Sequence, residues 1–344
     1  MRFIKCLLSV FMIAAMLMPP ALADQPCPGT GTGDGTYWST PMDIKDEEAV
    51  WNMLMSPMTV VKGDPMDQVL LLSAPNPDSA PVGEITCATQ GVHVLERTGD
   101  GWVKVEAYSS SFFNSRTKQW NALVQGYLQE SQLTETAPAD SMGLVVDKLT
   151  QRLYVFMDGH LYSTLRVSTG LPNERQPYNE TRSGEFFLVS KVGDFKSDNM
   201  TCEYALRFNS GDLLHQVPYI GSESNKDYDI CESKLGTRAS HGCIRVQRKR
   251  TPEGVNMNWI WQHYKKNTKL VIWEDTDDRT VETVPEDTIV YYNPKGGKNY
   301  HLRDTCYGVR KEYQPMKKIT YGELFTDSKL KKLTPCPYCN PPEK

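Results

Sequence analysis

The chain has 344 residues, of which 39% are hydrophobic and 23% are charged. This composition is that of an ordinary globular protein, long enough for about two or three domains, and it excludes a collagen, a coiled coil and a wholly disordered polymer. The 38 basic and 42 acidic residues give a formal net charge of −4. That balance argues against a nucleic-acid-binding protein, because such proteins usually carry a basic face.

The first residues have the pattern of a secretory signal. Arg2 and Lys5 precede an apolar run from Cys6 to Met18, and Ala21-Leu22-Ala23 supplies the small residues that a signal peptidase recognises. We therefore predict a signal peptide over residues 1–23, an exported protein, and no membrane span in the mature chain. The apolar run is short for a bilayer span, and a retained anchor is the alternative.

Residues 24–66 are predicted to form a leader and a helix. Residues 24–36 are rich in Gly, Thr and Pro, which favours an irregular segment. Between Pro41 and Met58, apolar residues recur at helical spacing behind a group of acidic residues that suits a helix start. These apolar residues are Val50, Trp51, Leu54 and Met55.

Residues 67–134 alternate in short β-runs around the turn Gly99-Asp100-Gly101. Gly101-Trp102-Val103-Lys104-Val105 and Gly126-Tyr127-Leu128 resemble two motifs of bacterial SH3-like domains. The insertion from Ser109 to Trp120 is long for that family. The resemblance implies an SH3-like β-barrel that binds glycan or peptide of a cell wall. A plain β-spacer without a ligand is the alternative.

Residues 143–275 are predicted to form a second β-rich domain, so that the fold class is mainly β with some α. The segments 134–140 and 276–287 that flank it have the composition of linkers. A helix is expected over Val255 to Lys266. The expected strands are Gly143–Asp147, Arg152–Phe156, His160–Val167, Phe186–Ser190 and Lys269–Trp273.

The hexapeptide Ser240-His241-Gly242-Cys243-Ile244-Arg245 has the residue types that a nucleophilic thiol needs. Such a thiol requires a base, nearby positive charge and backbone donors for a developing oxyanion. Gly242 lets the backbone approach closely, and Arg245 adds positive charge. A second histidine, His215, ends an apolar strand pattern upstream. A cysteine between glycine and isoleucine is otherwise a small core residue.

The same hexapeptide resembles the signature of the L,D-transpeptidase (YkuD-type) catalytic domain, Ser/Thr-His-Gly-Cys-x-x. Further segments over about 143–274 resemble that family in the right order. These are Leu144–Asp147, Gln151–Phe156, Val167–Gly170 and Arg182–Phe186. The resemblance implies an enzyme of the bacterial cell wall that acts on peptidoglycan stem peptides. Its thiol is acylated by a tetrapeptide stem, D-Ala is released, and a side-chain amine of a second stem accepts the acyl group in a 3→3 cross-link.

By position, the resemblance makes Cys243 the nucleophile and His215 the general base, with the tautomer of His215 fixed by the carbonyl of the next residue. The backbone near His241, Gly242 and Cys243 would form the oxyanion hole, and Ser240 and His241 would shape the site. Arg245 would hold the site electrostatically or meet a substrate carboxylate. No cofactor is implied for catalysis.

Two other functions fit the same sequence. One is an L,D-carboxypeptidase, in which water replaces the acceptor amine. The other is a non-catalytic wall-binding protein of the same fold. The implied location is the cell wall or extracellular face of a bacterium, with roles in cell-wall biogenesis or degradation and in cell shape.

A polar insertion from Gly221 to Glu232 lengthens the spacing between the two catalytic candidates. It is either a lid over the acyl-donor groove or a surface insertion. Cys202 and Cys231 are expected to form either a disulfide that pins this insertion or two buried thiols. Cys27 and Cys87 are a further candidate pair.

Residues 288–344 are predicted to form a small Cys/His module. His301, Cys306, Cys336 and Cys339 provide four ligands of zinc type, and a module of this size has a small core that a metal would stabilise. The pattern resembles small Ada-type metal-binding modules. A disulfide, Cys336–Cys339 or Cys306–Cys336, is the alternative. Four protein ligands leave no open position for catalysis, so the zinc would be structural.

Overall fold

The computed structural model describes residues 38, 40–276, 279–281, 283–342 and 344. The predicted signal peptide, Cys27 and most of the predicted leader lie outside these residues. No helix in the described part of the chain is both long and apolar enough to cross a lipid bilayer.

The N-terminal part of the described chain contains one helix and two β-structures. Strand β1 pairs antiparallel with β7, and β2 to β6 form a five-stranded sheet in the order β3-β2-β6-β5-β4. The linker predicted over 134–140 is therefore partly a strand. The elements are α1 (Glu47–Met55), β1 (Met58–Val61), β2 (Gln68–Leu72), β3 (Pro81–Thr86), β4 (His93–Arg97), β5 (Trp102–Ser110), β6 (Trp120–Gln129) and β7 (Leu133–Thr136).

Helix α1 is shorter than the sequence pattern predicts. The Asp46 side chain accepts a hydrogen bond from the Ala49 backbone N–H at 3.1 Å, which caps the N-terminus, and the chain is extended at Ser56. Its apolar face does not join the five-stranded sheet. Val50, Met53 and Leu54 instead pack against the second domain, on Val145, Phe156, Val271 and Trp273.

The second domain is built on an eleven-stranded sheet. Its strand order is β11-β18-β8-β9-β10-β17-β14-β13-β15-β16, with β12 paired to β13. The elements are β8 (Gly143–Asp147), β9 (Arg152–Met157), β10 (His160–Ser168), β11 (Gly184–Leu188), β12 (Ser190–Ser197), β13 (Met200–Arg207), β14 (Leu213–Gln216), β15 (Tyr219–Ser222), β16 (Asn225–Asp227), α2 (Asp229–Glu232), β17 (Ile244–Val246), α3 (Met257–His263) and β18 (Thr268–Trp273).

This domain is mainly β, as the sequence predicts. Apolar side chains of its strands and of α3 form one buried core, in which Leu144, Leu214 and Ile260 are fully buried. Helix α3 begins later than predicted because the Asn256 side chain accepts from the Trp259 backbone N–H at 2.9 Å and so caps the helix at that point. It ends at His263 because Tyr264 is extended.

The C-terminal residues form a separate small sheet. Its order is β21-β19-β20-β22, and Val290, Tyr300 and Leu324 are fully buried in its core. The elements are β19 (Ile289–Tyr292), β20 (Asn299–His301), β21 (Lys317–Thr320), α4 (Glu323–Thr326) and β22 (Thr334–Pro335).

The loop between β3 and β4 of the five-stranded sheet is joined to β11 of the eleven-stranded sheet by backbone hydrogen bonds. The Gly91 N–H donates to the Glu185 carbonyl at 2.9 Å, and the Phe187 N–H donates to the Thr89 carbonyl at 2.7 Å. Glu185 Oε2 also lies 3.3 Å from Nε2 of His93 in β4, and Glu185 Oε1 pairs with Lys269 of its own sheet at 2.6 Å. The two β-structures therefore meet through a polar interface rather than a free linker.

Candidate active site

The two residues predicted to perform chemistry lie on, or directly before, two neighbouring strands. Strand β14 pairs parallel with β17, with His215 opposite Arg245. Cys243 immediately precedes β17, and the Leu213 backbone N–H bonds to its sulfur. Residues that are 28 positions apart in the sequence thus lie on, or directly before, two strands that pair with each other.

His215 is buried, with 2% of its surface exposed. Its Nδ1 lies 2.7 Å from the Gln216 carbonyl oxygen. Because a carbonyl only accepts, Nδ1 carries the hydrogen and Nε2 presents a lone pair. Burial lowers the pKa of His215 to about 4, with a further contribution from the positive charge of Arg245. The ring is therefore a neutral base at physiological pH.

The Cys243 thiol is partly exposed. Burial, and next the Asp212 carboxylate, raise its pKa to about 12. The Leu213 N–H and the charges of Arg245 and Arg182 oppose this rise. The resting pair is consequently thiol and neutral imidazole, so that a thiolate forms only when its proton is transferred.

The turn that carries the thiol is held by hydroxyl groups on both sides. Ser240 Oγ accepts from the Gly242 N–H at 3.2 Å and donates to the Cys243 carbonyl. Thr181 Oγ1 donates to the Gly242 carbonyl at 2.7 Å. Gly242 has a φ of +122°, a conformation that favours glycine. The His241 side chain is exposed at the rim of the turn.

Arg245 is partly buried beneath the same turn. Its Nη1 donates to the Ala239 carbonyl at 3.1 Å. The guanidinium therefore braces the chain before the hexapeptide, while its charge lowers the pKa of both Cys243 and His215.

A buried ion pair below the turn was not among the predicted site residues. Arg182 Nη1 lies 3.2 Å from Asp212 Oδ2, and the two side chains are 1% and 2% exposed. A Cβ placed on Gly242 would lie 2.4 Å from Asp212 Oδ1. The two residues are 30 positions apart in the sequence, and neither lies in a spacing pattern that predicts their contact.

The insertion at 221–232 is a hairpin, β15 and β16, followed by α2. Glu203 accepts from Lys226 Nζ at 2.8 Å and from the Tyr228 hydroxyl at 2.7 Å. The same carboxylate accepts from Gln216 Nε2 at 2.7 Å. The insertion is thus anchored beside the residue that follows His215.

Of the two alternatives predicted for Cys202 and Cys231, the structure has the two buried thiols and not the disulfide. Both residues are buried free thiols, and Cys231 Sγ instead contacts Met200 Sδ at 3.7 Å. Cys87 is also a buried free thiol.

The four predicted metal ligands are brought together in the C-terminal module. His301, Cys306, Cys336 and Cys339 are buried, and their ligand atoms all lie within 4.8 Å of one another. The cysteines are free thiols, so the alternative of a disulfide is wrong. The Cys306 and Cys336 sulfurs are 3.8 Å apart, as are Cys339 Sγ and His301 Nδ1. A tetrahedral zinc with bonds of about 2.3 Å would set sulfurs roughly 3.8 Å apart, so the cluster fits this ion.

Comparisons with known proteins place the site in context. A family model described as the L,D-transpeptidase catalytic domain, YkuD, matches residues 141–272. A Bacillus subtilis (strain 168) protein named "Putative L,D-transpeptidase YciB" is 30% identical over 130 residues, which are 36% of this chain and 60% of the relative. The match therefore spans about 60% of the length of that relative.

Solved structures that match part of the chain are also described as L,D-transpeptidases. An L,D-transpeptidase from Xylanimonas cellulosilytica DSM 15894 is 20% identical, over 39% of this chain and 61% of that chain, with a TM-score of 0.28. One from Mycobacterium tuberculosis H37Rv is 15% identical, over 64% and 92%, with a TM-score of 0.31. The structure of LdtMt1 in complex with imipenem is 15% identical, over 64% and 92%, with a TM-score of 0.30.

The sheet and the site together describe a mainly β protein that has a histidine on one strand and a cysteine directly before the adjacent strand. Within it, residues 141–272 match the model of the YkuD L,D-transpeptidase catalytic domain. The resemblance predicted from the hexapeptide is confirmed. The SH3-like and Ada-like assignments of the flanking parts stay predictions.

Proposed function

We propose that the protein is an exported peptidoglycan L,D-transpeptidase that forms 3→3 cross-links through a cysteine acyl-enzyme. The observation that carries the proposal is the adjacency of the Cys243 turn and the His215 strand, with Nδ1 of His215 committed to a carbonyl. This arrangement leaves Nε2 as the proton acceptor, which a general base requires.

In the first half-reaction, His215 Nε2 takes the proton of Cys243 as the sulfur attacks the carbonyl that precedes the terminal D-Ala of a tetrapeptide stem. The C–N bond breaks, the imidazolium returns the proton to the departing amine, and a thioester remains. In the second, a side-chain amine of another stem attacks the thioester. That amine loses a proton, the new amide forms, and the thiol is regenerated.

The oxyanion of each tetrahedral intermediate needs backbone donors. The Gly242 N–H is already bonded to Ser240 Oγ. We therefore assign the oxyanion hole to the N–H groups of His241 and Cys243, with Ser240 fixing the turn that presents them. Arg245 acts by holding the turn and by supplying positive charge near the sulfur.

Export and wall attachment are parts of the same proposal. The predicted signal peptide over 1–23 directs the chain to the cell wall, where stem peptides are found. The five-stranded sheet is proposed as an SH3-like module for glycan or peptide. Cell-wall biogenesis and cell shape are the processes that such cross-links serve.

For the C-terminal module we propose a structural zinc held by His301, Cys306, Cys336 and Cys339. Bound zinc would crosslink the two ends of the module, because the ligands come from both. All four positions would be filled by protein, so this metal has no part in acyl transfer.

Acylation of Cys243 tests the proposed function. Imipenem is a suitable probe, since one related structure contains it. We expect intact-protein mass spectrometry to show one adduct on the wild type and none on Cys243→Ala. His215→Ala should slow adduct formation by about a hundredfold or more, because the base is lost. An adduct retained on folded Cys243→Ala would contradict the proposal.

A second measurement separates the alternatives. With a tetrapeptide donor and an amine acceptor, a transpeptidase yields a cross-linked dimer, whereas an L,D-carboxypeptidase yields only the shortened stem. A wall-binding protein without activity would bind sacculi and yield neither product.

A further inference from the structure

The loop between β5 and β6 of the five-stranded sheet reaches the catalytic turn. Arg182 Nη2 donates to the Ser111 carbonyl, and the Phe112 ring lies over the guanidinium, 3.9 Å from its central carbon. The same ring packs on Gly211, where an added Cβ would lie 2.4 Å from Phe112 Cε1. Gly211 immediately precedes Asp212, so this loop touches Arg182 and the residue next to its partner Asp212.

The loop itself is held by buried hydrogen bonds. Ser111 Oγ bonds to Thr117 Oγ1 at 2.6 Å. Glu84 Oε1 accepts from the Arg116 N–H at 2.6 Å and the Thr117 N–H at 3.0 Å. These hydrogen bonds hold the loop in one conformation, so that the loop can fix the positions of the residues it contacts.

The ion pair in turn contacts the nucleophile turn. A Cβ on Gly242 would lie 3.3 Å from Arg182 Nη1 as well as 2.4 Å from the Asp212 carboxylate. Both charges are buried. Removing one partner would leave the other charge buried without its counter-charge, which is costly in free energy.

We infer that Ser111 and Phe112 of the N-terminal sheet hold the Arg182–Asp212 pair beneath Gly242, and that this pair positions the turn bearing Cys243. The inference rests on the proposed role of Cys243 as the nucleophile. The N-terminal sheet is then a structural part of the catalytic site and not only a wall-binding module. Arg182, Asp212 and Phe112 are positioning residues, since they act on the thiol through the turn.

The charge environment of the thiol gives this role a specific signature. Asp212 raises the pKa of Cys243, whereas Arg182 and Arg245 lower it. Glu180 and Lys148 also act on Asp212, and Cys202 interacts with the thiol, while His215 lies on the strand paired with β17. Replacing the Asp212 carboxylate by an amide therefore leaves the charge of Arg182 uncompensated beside the sulfur.

The first test measures the pH dependence of iodoacetamide alkylation at the Cys243 peptide by mass spectrometry. In Asp212→Asn we expect the midpoint to fall by about one pH unit or more. Asp140→Asn is the matched control, because it removes an exposed carboxylate of the same domain, and its midpoint should equal that of the wild type. An unmoved midpoint in folded Asp212→Asn overturns the inference.

The second test does not depend on Asp212 variants folding. In Phe112→Ala we expect water to reach the Arg182–Asp212 pair and to relieve part of the burial and of the Asp212 effect that raise the pKa of Cys243, so that the alkylation midpoint falls by about half a unit. The maximal rate of imipenem acylation should fall about tenfold, with little change in the half-saturating concentration. Phe112→Leu should recover most of this rate, and the exposed neighbour variant Phe113→Ala should match the wild type.

The outcomes also distinguish the inference from the proposed function. If imipenem does not acylate the wild type, the proposed function fails, while the alkylation midpoints still decide the positioning role. If Phe112→Ala behaves as Phe113→Ala does in both measurements, the positioning role is wrong, whatever the reaction.

Discussion

His215 combines burial with a committed tautomer, and both features follow from its place at the end of a buried strand. Its neighbour Gln216 supplies the carbonyl to Nδ1 and, through its side chain, the link to Glu203. Gln216 thus fixes the tautomer of His215 through its carbonyl, and its own side chain is anchored on Glu203. A strand position gives the base a rigidity that a loop position would lack.

The pKa of His215 makes stability depend on pH in a defined direction. The unfolded histidine binds a proton below about pH 6.5, whereas the folded one does so only near pH 4. As pH falls from 6.5 to 4, the unfolded state gains protons that the folded state refuses, so stability is lost. At pH values below both pKa values, this one histidine has lowered the free energy of unfolding by about 3 kcal/mol.

We therefore expect His215→Gln to unfold in urea with a shallower loss of stability between pH 6.5 and 4 than the wild type has. The exposed His263→Gln variant should retain the wild-type slope. Equal slopes for the wild type and His215→Gln would show that the imidazole is not buried in its neutral form.

At the scale of single residues, the sequence predicts groupings of residues that are close in the chain, but not contacts between residues that are far apart in it. Cys243, Ser240 and Gly242 are adjacent in the chain, and the histidine ends a recognisable strand, so all could be proposed from the pattern. The Arg182–Asp212 pair could not, because its partners meet only through the order of the strands. Neither charged residue differs, in the sequence, from one on a solvated surface.

Among the elements, β18 and α1 show how a charge is accommodated in the interior. Every residue of β18 is buried, including Lys269. Its ammonium pairs with Glu185 at 2.6 Å and donates to the Met53 carbonyl at 2.9 Å. The C-terminal end of helix α1 and two strands are thereby joined at one nitrogen, in keeping with the preference of helix C-termini for cations.

Replacing Lys269 by Met should destabilise the protein by about 3 to 5 kcal/mol, because Glu185 keeps a buried charge without its cation. Lys265→Met removes an exposed lysine whose ion pair with Asp140 lies at the surface, so its effect should be below about 1 kcal/mol. Urea unfolding followed by circular dichroism measures both. Similar values for the two variants would contradict the structural role of the buried pair.

The strands of the catalytic domain were predictable because apolar residues mark them. The pattern over 143–147 gives β8 with its observed bounds. The destination of α1 was not predictable, since its apolar face fits any apolar surface. Only the assembled sheet shows that this helix covers the second domain instead of the strands that follow it in sequence.

At the scale of the whole molecule, the N-terminal part, the second domain and the C-terminal module share contacts that a linear division into domains does not suggest. The C-terminal module also touches the catalytic sheet, where Asn340 Nδ2 donates to the Thr164 carbonyl at 2.8 Å and the Tyr307 hydroxyl donates to the Arg250 carbonyl at 2.8 Å. The Cys336–Cys339 segment thus lies close to β10, the strand that pairs with β17.

Metal removal tests the proposed zinc at this scale. The purified, reduced protein should contain about one zinc per chain by elemental analysis, since one set of four ligands is present. Chelation, or the Cys336→Ser and Cys339→Ser changes together, should render residues 288–344 sensitive to limited proteolysis, because a small core loses its crosslink. Cys87→Ser should retain the metal. A protein that remains free of zinc after reduction and zinc addition would contradict the assignment.

The packing of α1 has a consequence for the order in which the chain is made. The helix is synthesised first, but its apolar side chains find their partners only on strands that include Val271 and Trp273. Val145 and Phe156, in β8 and β9, are synthesised earlier, but the surface that covers α1 is complete only when β18 has emerged, and contacts between such distant segments form slowly. We therefore expect the nascent chain to expose part of the apolar face of α1 until β18 completes the eleven-stranded sheet and covers that face.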